Sequence, residues 1–365
     1  MKFLFEFYLQ KDLIILNIFY TILIFLVIYF WEKISSKLSS KEYMSVQRIH
    51  KDKFEIPRMG GFCFFIGLIG IKFINLEIDP WIKSEMQTIF TLLLLCNIPL
   101  FLMSLKEDIK YNVKPINRLI AILISSFLIV YFQPYTLPNI DIPIIGNFIN
   151  LPIISIIFYI IALAGYCNGM NLIDGSNGLA GMVIFTTLVS ISFVSYMLSD
   201  FTILYLSLVL LFFIGIFLLF NYPWGRIFLG DSGAYLWGST LASLTIILYA
   251  RNDLPSWGAV VILFYPSIEM VFSIIRKLIQ GKNPLYPDPN HMHLKLFFAI
   301  KKSISRLRVA NCLVMPMISI IWLTPVLIIP WVFNDALLSI ISIIFLSIIY
   351  LGFYWCLPNK KYQDK

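Results

Sequence analysis

The chain has 365 residues, of which 59% are hydrophobic and 13% are charged. Soluble domains are about 45–50% apolar and about 25% charged, so this composition excludes a soluble globular protein and predicts a polytopic membrane protein. The net charge of +8 is explained by membrane topology and by attraction to anionic membrane lipids, and it requires no nucleic-acid partner.

Apolar runs of spanning or near-spanning length predict eleven transmembrane helices. In chain order they are 12–31, 60–77, 87–105, 117–132, 151–166, 178–197, 203–220, 234–249, 257–275, 309–330 and 336–356. The first run is too long for the apolar core of a signal peptide, so we expect it to be retained. The polar stretches between the runs are only loops, and residues 1–365 are therefore predicted to form one all-α integral-membrane domain.

The basic residues predict the orientation of these helices. They concentrate on one side of the predicted membrane, in loops 32–59, 106–116, 221–233 and 276–308 and in the tail 357–365. The opposite side carries Lys2, Lys11, Lys83 and Arg251. The positive-inside rule assigns the basic side to the cytoplasm, so we expect a periplasmic N-terminus and a cytoplasmic C-terminus.

Five polar segments interrupt the apolar pattern, and the predicted topology places all of them at the cytoplasmic ends of helices. They are "PRMGG" (57–61), "KEDIKYNVKPINRL" (106–119), "NGMNLIDGSNGLAG" (168–181), "GRIFLGDSGAYLWG" (225–238) and "PDPNHMHLKLF" (287–297). Acids of the outer loops show no such pattern: Asp79, Glu85, Asp141, Asp200, Asp253 and Asp335. Ionisable groups near a membrane are costly and are usually paired or functional, so we expect one shared site at the cytoplasmic face.

The third segment repeats an Asn or Asp every three residues, at Asn168, Asn171, Asp174 and Asn177. Each such step turns a helical side chain by about −60°, so the four converge only where the helix ends or bends, which the neighbouring glycines permit. Asn and Asp oxygens suit a hard cation such as Mg²⁺. The alternative is a helix-capping loop in which Asp174 and Asn177 bind backbone N–H groups.

Two further segments place acids beside groups that favour phosphate. Asp231 lies between glycines before a helix, where backbone N–H groups can bind phosphate and an Asp can hold a bridging metal; a plain N-cap is the alternative. The adjacent carboxylates Glu107 and Asp108 repel, so one could keep its proton or act as a base; a salt-bridged loop is the alternative. Lys114 and Arg118 lie four residues apart and could face one phosphate.

The first segment carries an arginine, and the fifth carries two histidines. His291 and His293 are two residues apart near Asp288, and without a cysteine or third histidine nearby they favour hydrogen bonding to a phosphate or nucleotide over zinc. A loop without a function is the remaining alternative. Arg58 precedes a glycine turn at the start of the second span, where it either binds substrate or is an ordinary arginine at the membrane boundary.

These five segments, in this order, resemble the polyprenyl-phosphate N-acetylhexosamine-1-phosphate transferase family, which is glycosyltransferase family 4. The similarity covers about residues 57–297 and is carried by N-x-x-N-x-x-D-G-x-x-G-L-A-G, then F-L-G-D-S-G, then D-x-x-H-x-H. The resemblance implies that a UDP-N-acetylhexosamine, such as UDP-GlcNAc, gives its sugar 1-phosphate to undecaprenyl phosphate. The implied products are undecaprenyl-diphosphate-sugar and UMP, in the first step of a bacterial cell-surface glycan.

The resemblance also implies a cofactor, a location and roles for the acids. Family members need Mg²⁺ and lie in the bacterial inner membrane with the active site on the cytoplasmic face. By motif position, Asn171 and Asp231 match the metal ligands. Asp108 matches the second acid of an Asp-Asp pair, which activates the lipid phosphate or organises the metal and phosphates.

The substrate contacts are implied in the same way. Lys114 matches a basic residue that contacts phosphate, and Asp174 and Asn177 match positions implicated in binding uridine or metal. The loop with Asp288, His291 and His293 matches the one that helps to hold the nucleotide-sugar.

Two positions depart from the family pattern. Glu107 replaces the first acid of the Asp-Asp pair, which puts a strict acid dyad in doubt, and Asn177 replaces the second Asp of "DGxDG". Both changes resemble a surface-glycan branch of the family more than its peptidoglycan enzyme. Neither change identifies the donor sugar.

The residues favour single displacement with Asp108 orienting the acceptor, because the lipid phosphate is already ionised near pH 7. A covalent aspartyl intermediate is the alternative. A secondary transporter with broken helices is the rival from another class; it predicts internal repeats and mid-membrane binding groups, which the sequence lacks. A CDP-alcohol phosphotransferase would need an Arg and two later Asp residues that are missing after "DGSNGLAG". The sequence leaves a homodimer open.

Overall fold

A computed structural model of the chain describes residues 7–38, 56–110, 112–141, 146–284 and 288–358. Helices are the only regular elements in these ranges. They are α1 (Lys11–Leu38), α2 (Gly60–Ile71), α3 (Pro80–Cys96), α4 (Ile98–Lys110), α5 (Pro115–Phe132), α6 (Gly146–Ile149), α7 (Pro152–Ile173), α8 (Leu179–Met197), α9 (Phe201–Asn221), α10 (Gly230–Arg251), α11 (Ser256–Ile262), α12 (Phe264–Ile279), α13 (Met292–Ser303), α14 (Leu307–Met317), α15 (Ser319–Val332) and α16 (Ala336–Cys356). The predicted all-α polytopic membrane fold is confirmed.

Every predicted span coincides with a helix or a pair of helices, although not all of them are long enough to cross a bilayer. Within the described ranges, eight spans qualify by length and apolar composition, and two bent helix pairs raise the number to ten. These pairs are α3–α4, bent by 50°, and α11–α12, bent by 88°. The one predicted span left over, 60–77, corresponds to α2, whose 12 residues extend about 18 Å. The count of eleven and the orientation of the termini stay predictions.

Several helices begin where the chain supplies a capping acid. Asp79 accepts a hydrogen bond from Trp81 N at 2.9 Å, and Asp335 accepts one from Leu338 N at 2.8 Å. Such caps satisfy N–H groups that have no partner within the helix. Asp79 and Asp335, two acids of the predicted outer loops that showed no pattern in the sequence, therefore cap the starts of helices.

Helix α10 is the central element of the bundle, and it is buried along its whole length. It packs against α7, α4 and α2. A Cβ added at Gly238 would lie 3.0 Å from Cα of Cys167 on α7, so a small residue is needed for this close approach, as is common between membrane helices. The 22 residues of α10 extend about 33 Å, close to the thickness of the hydrocarbon core.

The two ends of α10 carry separate polar clusters. At its C-terminal end, Arg251 contacts Glu85 Oε2 at 2.8 Å and Asp200 Oδ2 at 2.8 Å, and it donates to the hydroxyl of Tyr135 at 2.5 Å. This cluster joins α10 to α3 and to the start of α9. The acids of this end thus neutralise one arginine, while the site described next lies around Asp231 at the other end.

Candidate active site

The first and fourth polar segments are joined through their backbones. Phe228 N donates to Pro57 O at 2.9 Å, while Gly60 N donates to Phe228 O at 3.0 Å and Gly61 N to Leu229 O at 3.0 Å. A Cβ on Gly61 would lie 2.2 Å from the backbone nitrogen of Gly233, a distance that no side chain tolerates. The two segments therefore form one unit, which brings Arg58 to Asp231.

Asp108, from the second segment, caps the first turn of α10. Its Oδ1 accepts a hydrogen bond from Asp231 N at 2.8 Å, and its Oδ2 accepts from Ser232 N at 2.8 Å and from Ser232 Oγ at 2.5 Å. The residue is 0% exposed. Gly230 has φ +73°, and a Cβ there would lie 2.7 Å from each Asp108 oxygen. The carboxylate is thus held by the N–H groups and the positive end of the helix dipole.

Asp231 is the point on which three other segments converge. Arg58 Nη2 donates to its Oδ1 at 2.5 Å, and Asn171 Nδ2 donates to the same oxygen at 3.2 Å. Arg118 Nη1 donates to its Oδ2. Arg58 Nε also lies 3.4 Å from Asp108 Oδ1. Burial opposes the charge of Arg58, but the negative charges of Asp108 and Asp231, together with those of Asp174 and Glu107, outweigh it and raise the pKa of the guanidinium.

Asp174 lies at the end of α7, where the helix stops at Ile173. Desolvation raises the pKa of its carboxyl well above the ordinary value; Arg58 opposes this shift, and the charges of Asp231 and Asp108 add to it. Asp174 is therefore close enough to Arg58, Asp231 and Asp108 for their charges to act on its carboxyl. The position leaves its oxygens as candidates for a cation that would offset the crowding of negative charge.

Glu107 and Lys114 lie beside this centre. Glu107 Oε2 accepts a hydrogen bond from Val113 N at 2.8 Å, and its Oε1 lies 3.8 Å from Arg118 Nη1. Lys114 occupies the N-cap position of α5 and is exposed. Glu107 therefore fixes the backbone at Val113, next to Lys114. The glutamate side chain is one methylene longer than the aspartate of the family pattern, and this length suits the contact.

Asn168 and Asn177 make their polar contacts away from Asp231. Asn168 Nδ2 donates to Ala164 O of its own helix at 2.9 Å. Asn177 is buried; its backbone N–H donates to Asn311 Oδ1 at 2.7 Å, and its Nδ2 donates to Pro223 O at 3.0 Å. These contacts anchor the 174–178 loop to α14 and to the loop after α9. A role for Asn177 toward uridine or metal stays a prediction.

The fifth segment contacts the third through a histidine. His293 Nε2 would lie 2.2 Å from a Cβ placed on Gly175, so the imidazole lies directly against that glycine. Burial and the neighbouring His291 lower the pKa of His293 to about 3, although Glu269 opposes the shift. His293 is therefore a neutral imidazole near pH 7.

Asp288 and His291 are each held by a residue of α12. Asp288 Oδ2 accepts from Arg276 Nη2 at 2.5 Å, and Asp288 Oδ1 accepts from Asn290 N at 2.9 Å. Burial opposes ionisation of Asp288, but these hydrogen bonds and the Arg276 charge prevail and lower its pKa. His291 Nδ1 lies 3.0 Å from Glu269 Oε1.

Sequence reasoning missed the residues behind this loop, namely Glu269 and Arg276 on α12 and Tyr350 and Tyr354 on α16. Glu269 lies inside the predicted span 257–275, and an ionisable residue within a span is itself a signal of function. The tyrosines carry no comparable signal, because aromatic residues are common in membrane helices.

The fold and site define a multi-pass membrane protein in which arginines and carboxylates from separate helices meet at one helix end. Residues 90–249, less than half of the chain, match the model of glycosyl transferase family 4. Enzymes of the family are metal-dependent phosphosugar transferases. This match confirms the resemblance and contains the second, third and fourth polar segments.

Two relatives show the range of the similarity. The chain is 31% identical over 203 residues to the undecaprenyl-phosphate alpha-N-acetylglucosaminyl 1-phosphate transferase of Thermotoga maritima, a match that covers 54% of this chain and 59% of that protein. It is 26% identical over 265 residues to the phospho-N-acetylmuramoyl-pentapeptide-transferase of Streptococcus pneumoniae strain Hungary19A-6, covering 70% of this chain and 80% of that protein. The chain thus spans less than two thirds of the first relative.

Proposed function

We propose that the protein transfers an N-acetylhexosamine 1-phosphate from a UDP-sugar to undecaprenyl phosphate and thereby begins a bacterial cell-surface glycan. The observation that carries this proposal is the convergence of Arg58, Arg118 and Asn171 on Asp231, with Asp108 fixing the turn beneath it. Both relatives named above transfer a phosphorylated sugar, and the first is named for undecaprenyl phosphate.

The reaction places two anionic phosphates in contact. An oxygen of the lipid phosphate attacks the sugar-bearing phosphorus of the UDP-sugar, and the bond from that phosphorus to the bridging oxygen breaks, so that UMP leaves with the bridging oxygen and the bonding electrons. Because the attacking oxygen is already ionised, no proton has to be removed. Catalysis then depends on positioning and charge neutralisation, for which Arg58, Arg118 and Lys114 lie at one helix end.

The donor set around Asp231 fits Mg²⁺. Asp231, Asp174 and Asn171 carry the oxygen ligands that Mg²⁺ prefers, and this ion commonly binds through one or two carboxylates while substrate phosphates and water complete its shell. Among the described residues, no group of three or more His, Cys, Asp or Glu side chains is arranged to hold a metal ion alone. When bound, Mg²⁺ would offset charge on the phosphates.

The environment of Asp108 supports single displacement. A covalent aspartyl intermediate on this residue would require its carboxylate to leave hydrogen bonds from Asp231 N, Ser232 N and Ser232 Oγ. The same contacts support a role for Asp108 in placing Asp231. Orientation of the acceptor phosphate by Asp108 remains a prediction.

The location of the site fits a lipid substrate. The contacts around Asp231 join the ends of α4 and α7 to the starts of α5 and α10, and the loops 106–116 and 221–233 before α5 and α10 lie on the predicted side that carries most of the basic residues. The positive-inside rule favours the cytoplasmic face of the bacterial inner membrane for the site, where a lipid phosphate at the headgroup plane would meet a cytosolic nucleotide-sugar.

A purified-enzyme assay tests the proposal. The protein in detergent is incubated with undecaprenyl phosphate and, in turn, each member of a panel of UDP-N-acetylhexosamines, and UMP release is followed with and without Mg²⁺. We expect Mg²⁺-dependent release with at least one donor and none from Asp231→Asn. Uptake of the nucleotide-sugar by vesicles without UMP formation would instead identify a transporter.

A further inference from the structure

A buried carboxylate of α12 contacts residues 288–293, which we call the histidine loop. Glu269 is 0% exposed. Its Oε1 lies 3.0 Å from His291 Nδ1 and accepts a hydrogen bond from Met292 N at 3.1 Å, while its Oε2 accepts one from the hydroxyl of Tyr350 at 2.8 Å. Both carboxylate oxygens are therefore used, and two of the three donors belong to residues 291–292.

We propose that Glu269 is a positioning residue that fixes the ring of His291 for the nucleotide-sugar, an inference that rests on the proposed function. A carboxylate that accepts from Nδ1 selects the tautomer with the proton on that nitrogen. His291 then presents Nε2 as its free hydrogen-bond acceptor, with the plane of the ring set by the bond to Glu269.

The burial of Glu269 is difficult to explain by stability alone. Taking a carboxylate out of water costs several kcal/mol, and replacing a buried ionic group by an apolar one of similar size is often neutral or stabilising. A helix that only needed to pack against α16 would be served by an apolar side chain. The hydrogen bonds to His291 and Met292 give the carboxylate a task that an apolar residue cannot perform.

The C-terminal helix completes this support. Tyr350 and Tyr354 lie four residues apart and so share one face of α16. Tyr354 donates through its hydroxyl to Asn290 O at 3.1 Å and accepts from Arg276 Nη1 at 2.8 Å. Lys295 Nζ lies 3.7 Å from the centre of the Tyr354 ring. The histidine loop is therefore held between α12 and α16, both of which lie beyond the segment matched by the family model.

Kinetics of matched variants test the assignment. Glu269→Met removes the acceptor, whereas Glu269→Gln keeps an amide oxygen that can still accept from His291 and Met292. Because the loss of one hydrogen bond changes an equilibrium constant about fivefold, and Glu269→Met removes the acceptor for both His291 and Met292, we expect this variant to raise the KM for the UDP-sugar at least about fivefold. The KM for undecaprenyl phosphate should change less than about twofold, and Glu269→Gln should restore most of the donor affinity.

Two other variants separate positioning from folding. Glu85→Gln removes a carboxylate paired with Arg251 at the other end of α10, and we expect it to lower thermal stability without changing the donor KM. Tyr350→Phe removes only the hydroxyl that donates to Glu269 and should raise the donor KM by about threefold. It remains informative if Glu269→Met does not fold.

Nitrogen NMR of labelled histidine gives a readout that does not depend on activity. The chain has three histidines, so the His291 signals can be assigned from a His291→Gln variant. In the wild type at high pH we expect His291 to be protonated on Nδ1, and in Glu269→Met we expect a mixture of tautomers. A wild-type proton on Nε2, or an unchanged donor KM in Glu269→Met, would overturn the inference. Absence of UMP release by the wild type would instead overturn the proposed function.

Discussion

Asp108 and Asp231 lie in direct contact at the start of α10, where the backbone N–H of Asp231 donates to Asp108 Oδ1 at 2.8 Å. The two acids therefore have different tasks although they belong to one centre. Asp108 is enclosed and fixes the helix start, while the side chain of Asp231 extends to Arg58 and Arg118. The carboxylate that binds both arginines is thus placed by a second carboxylate, which Arg58 also approaches, with its Nε 3.4 Å from Asp108 Oδ1.

Removing the charge of Asp108 should cost stability as well as activity. In Asp108→Asn an NH₂ group replaces one oxygen, so the N–H of either Asp231 or Ser232 faces a donor and is left unsatisfied. A buried unsatisfied group costs about 1–3 kcal/mol, and we expect thermal unfolding in detergent to report a loss of that size together with reduced UMP release. Asp231→Asn, which leaves the cap intact, should lose activity with a smaller change in the unfolding temperature. Equal stability losses in the two variants would contradict this division of tasks.

The arginine pair on Asp231 predicts that metal and phosphate bind together. Arg58 and Arg118 occupy both oxygens of the carboxylate, so a cation competes with two guanidinium groups unless an anion draws them away. We expect Mn²⁺, used as a spectroscopic substitute for Mg²⁺, to bind weakly to the free protein and at least tenfold more tightly in the presence of UDP. Electron paramagnetic resonance of free Mn²⁺ measures both affinities.

An arginine variant tests this coupling directly. Arg118→Met removes one competitor and should strengthen Mn²⁺ binding in the absence of UDP while weakening the effect of the nucleotide. Arg226→Met is the matched control, because it removes the same charge from an exposed position at the same end of the bundle. If both variants change Mn²⁺ affinity equally, net charge rather than the contact with Asp231 is responsible.

The close backbone pairing of the first and fourth polar segments predicts that a larger side chain at Gly61 is not tolerated. A Cβ on Gly61 would overlap the backbone at Gly233, so Gly61→Ala should separate the segments and displace Arg58 from Asp231. Overpacking of this kind costs about 1–3 kcal/mol, and we expect a lower unfolding temperature and little UMP release.

Gly215 on α9 provides the control for that substitution. A Cβ there meets no atom within 4 Å, and alanine is favoured over glycine inside a helix by about 1 kcal/mol. We expect Gly215→Ala to leave activity unchanged and stability equal or higher. A Gly61→Ala protein as stable and active as Gly215→Ala would show that the two segments can move apart without consequence.

Hydropathy and charge were sufficient to predict the helices and the gathering of polar segments at one end, because both follow from what the membrane excludes. The helical period also indicated that Asn177 could not share a face with Asn168 in an unbroken helix. The structure ends α7 at Ile173 and directs Asn177 to Pro223 and Asn311. Periodicity therefore located the break but not the partner, which comes from segments distant in the chain.

Hydrogen-bond partners account for the rest of what the sequence did not predict. From the sequence, Arg58 was either a substrate-binding residue or an ordinary arginine at the membrane boundary. Only the backbone pairing of 57–61 with 228–229 brings it to Asp231. Glu269 lay unremarked within an apolar run, because its donors come from a loop and from α16. Such contacts depend on tertiary packing, which composition and spacing do not specify.

The buried histidine predicts how stability changes with pH. The pKa of His293 is lowered to about 3 in the folded protein, whereas an unfolded histidine titrates near about 6.5. Between these values the unfolded chain binds the proton and the folded chain does not, so this residue makes stability fall as pH falls. The expected slope is up to about 1.4 kcal/mol per pH unit below about 6.5. Thermal unfolding from pH 4.5 to 7.5 should show a flatter dependence for His293→Gln than for the wild type, and parallel curves would mean that the imidazole charges freely in the fold.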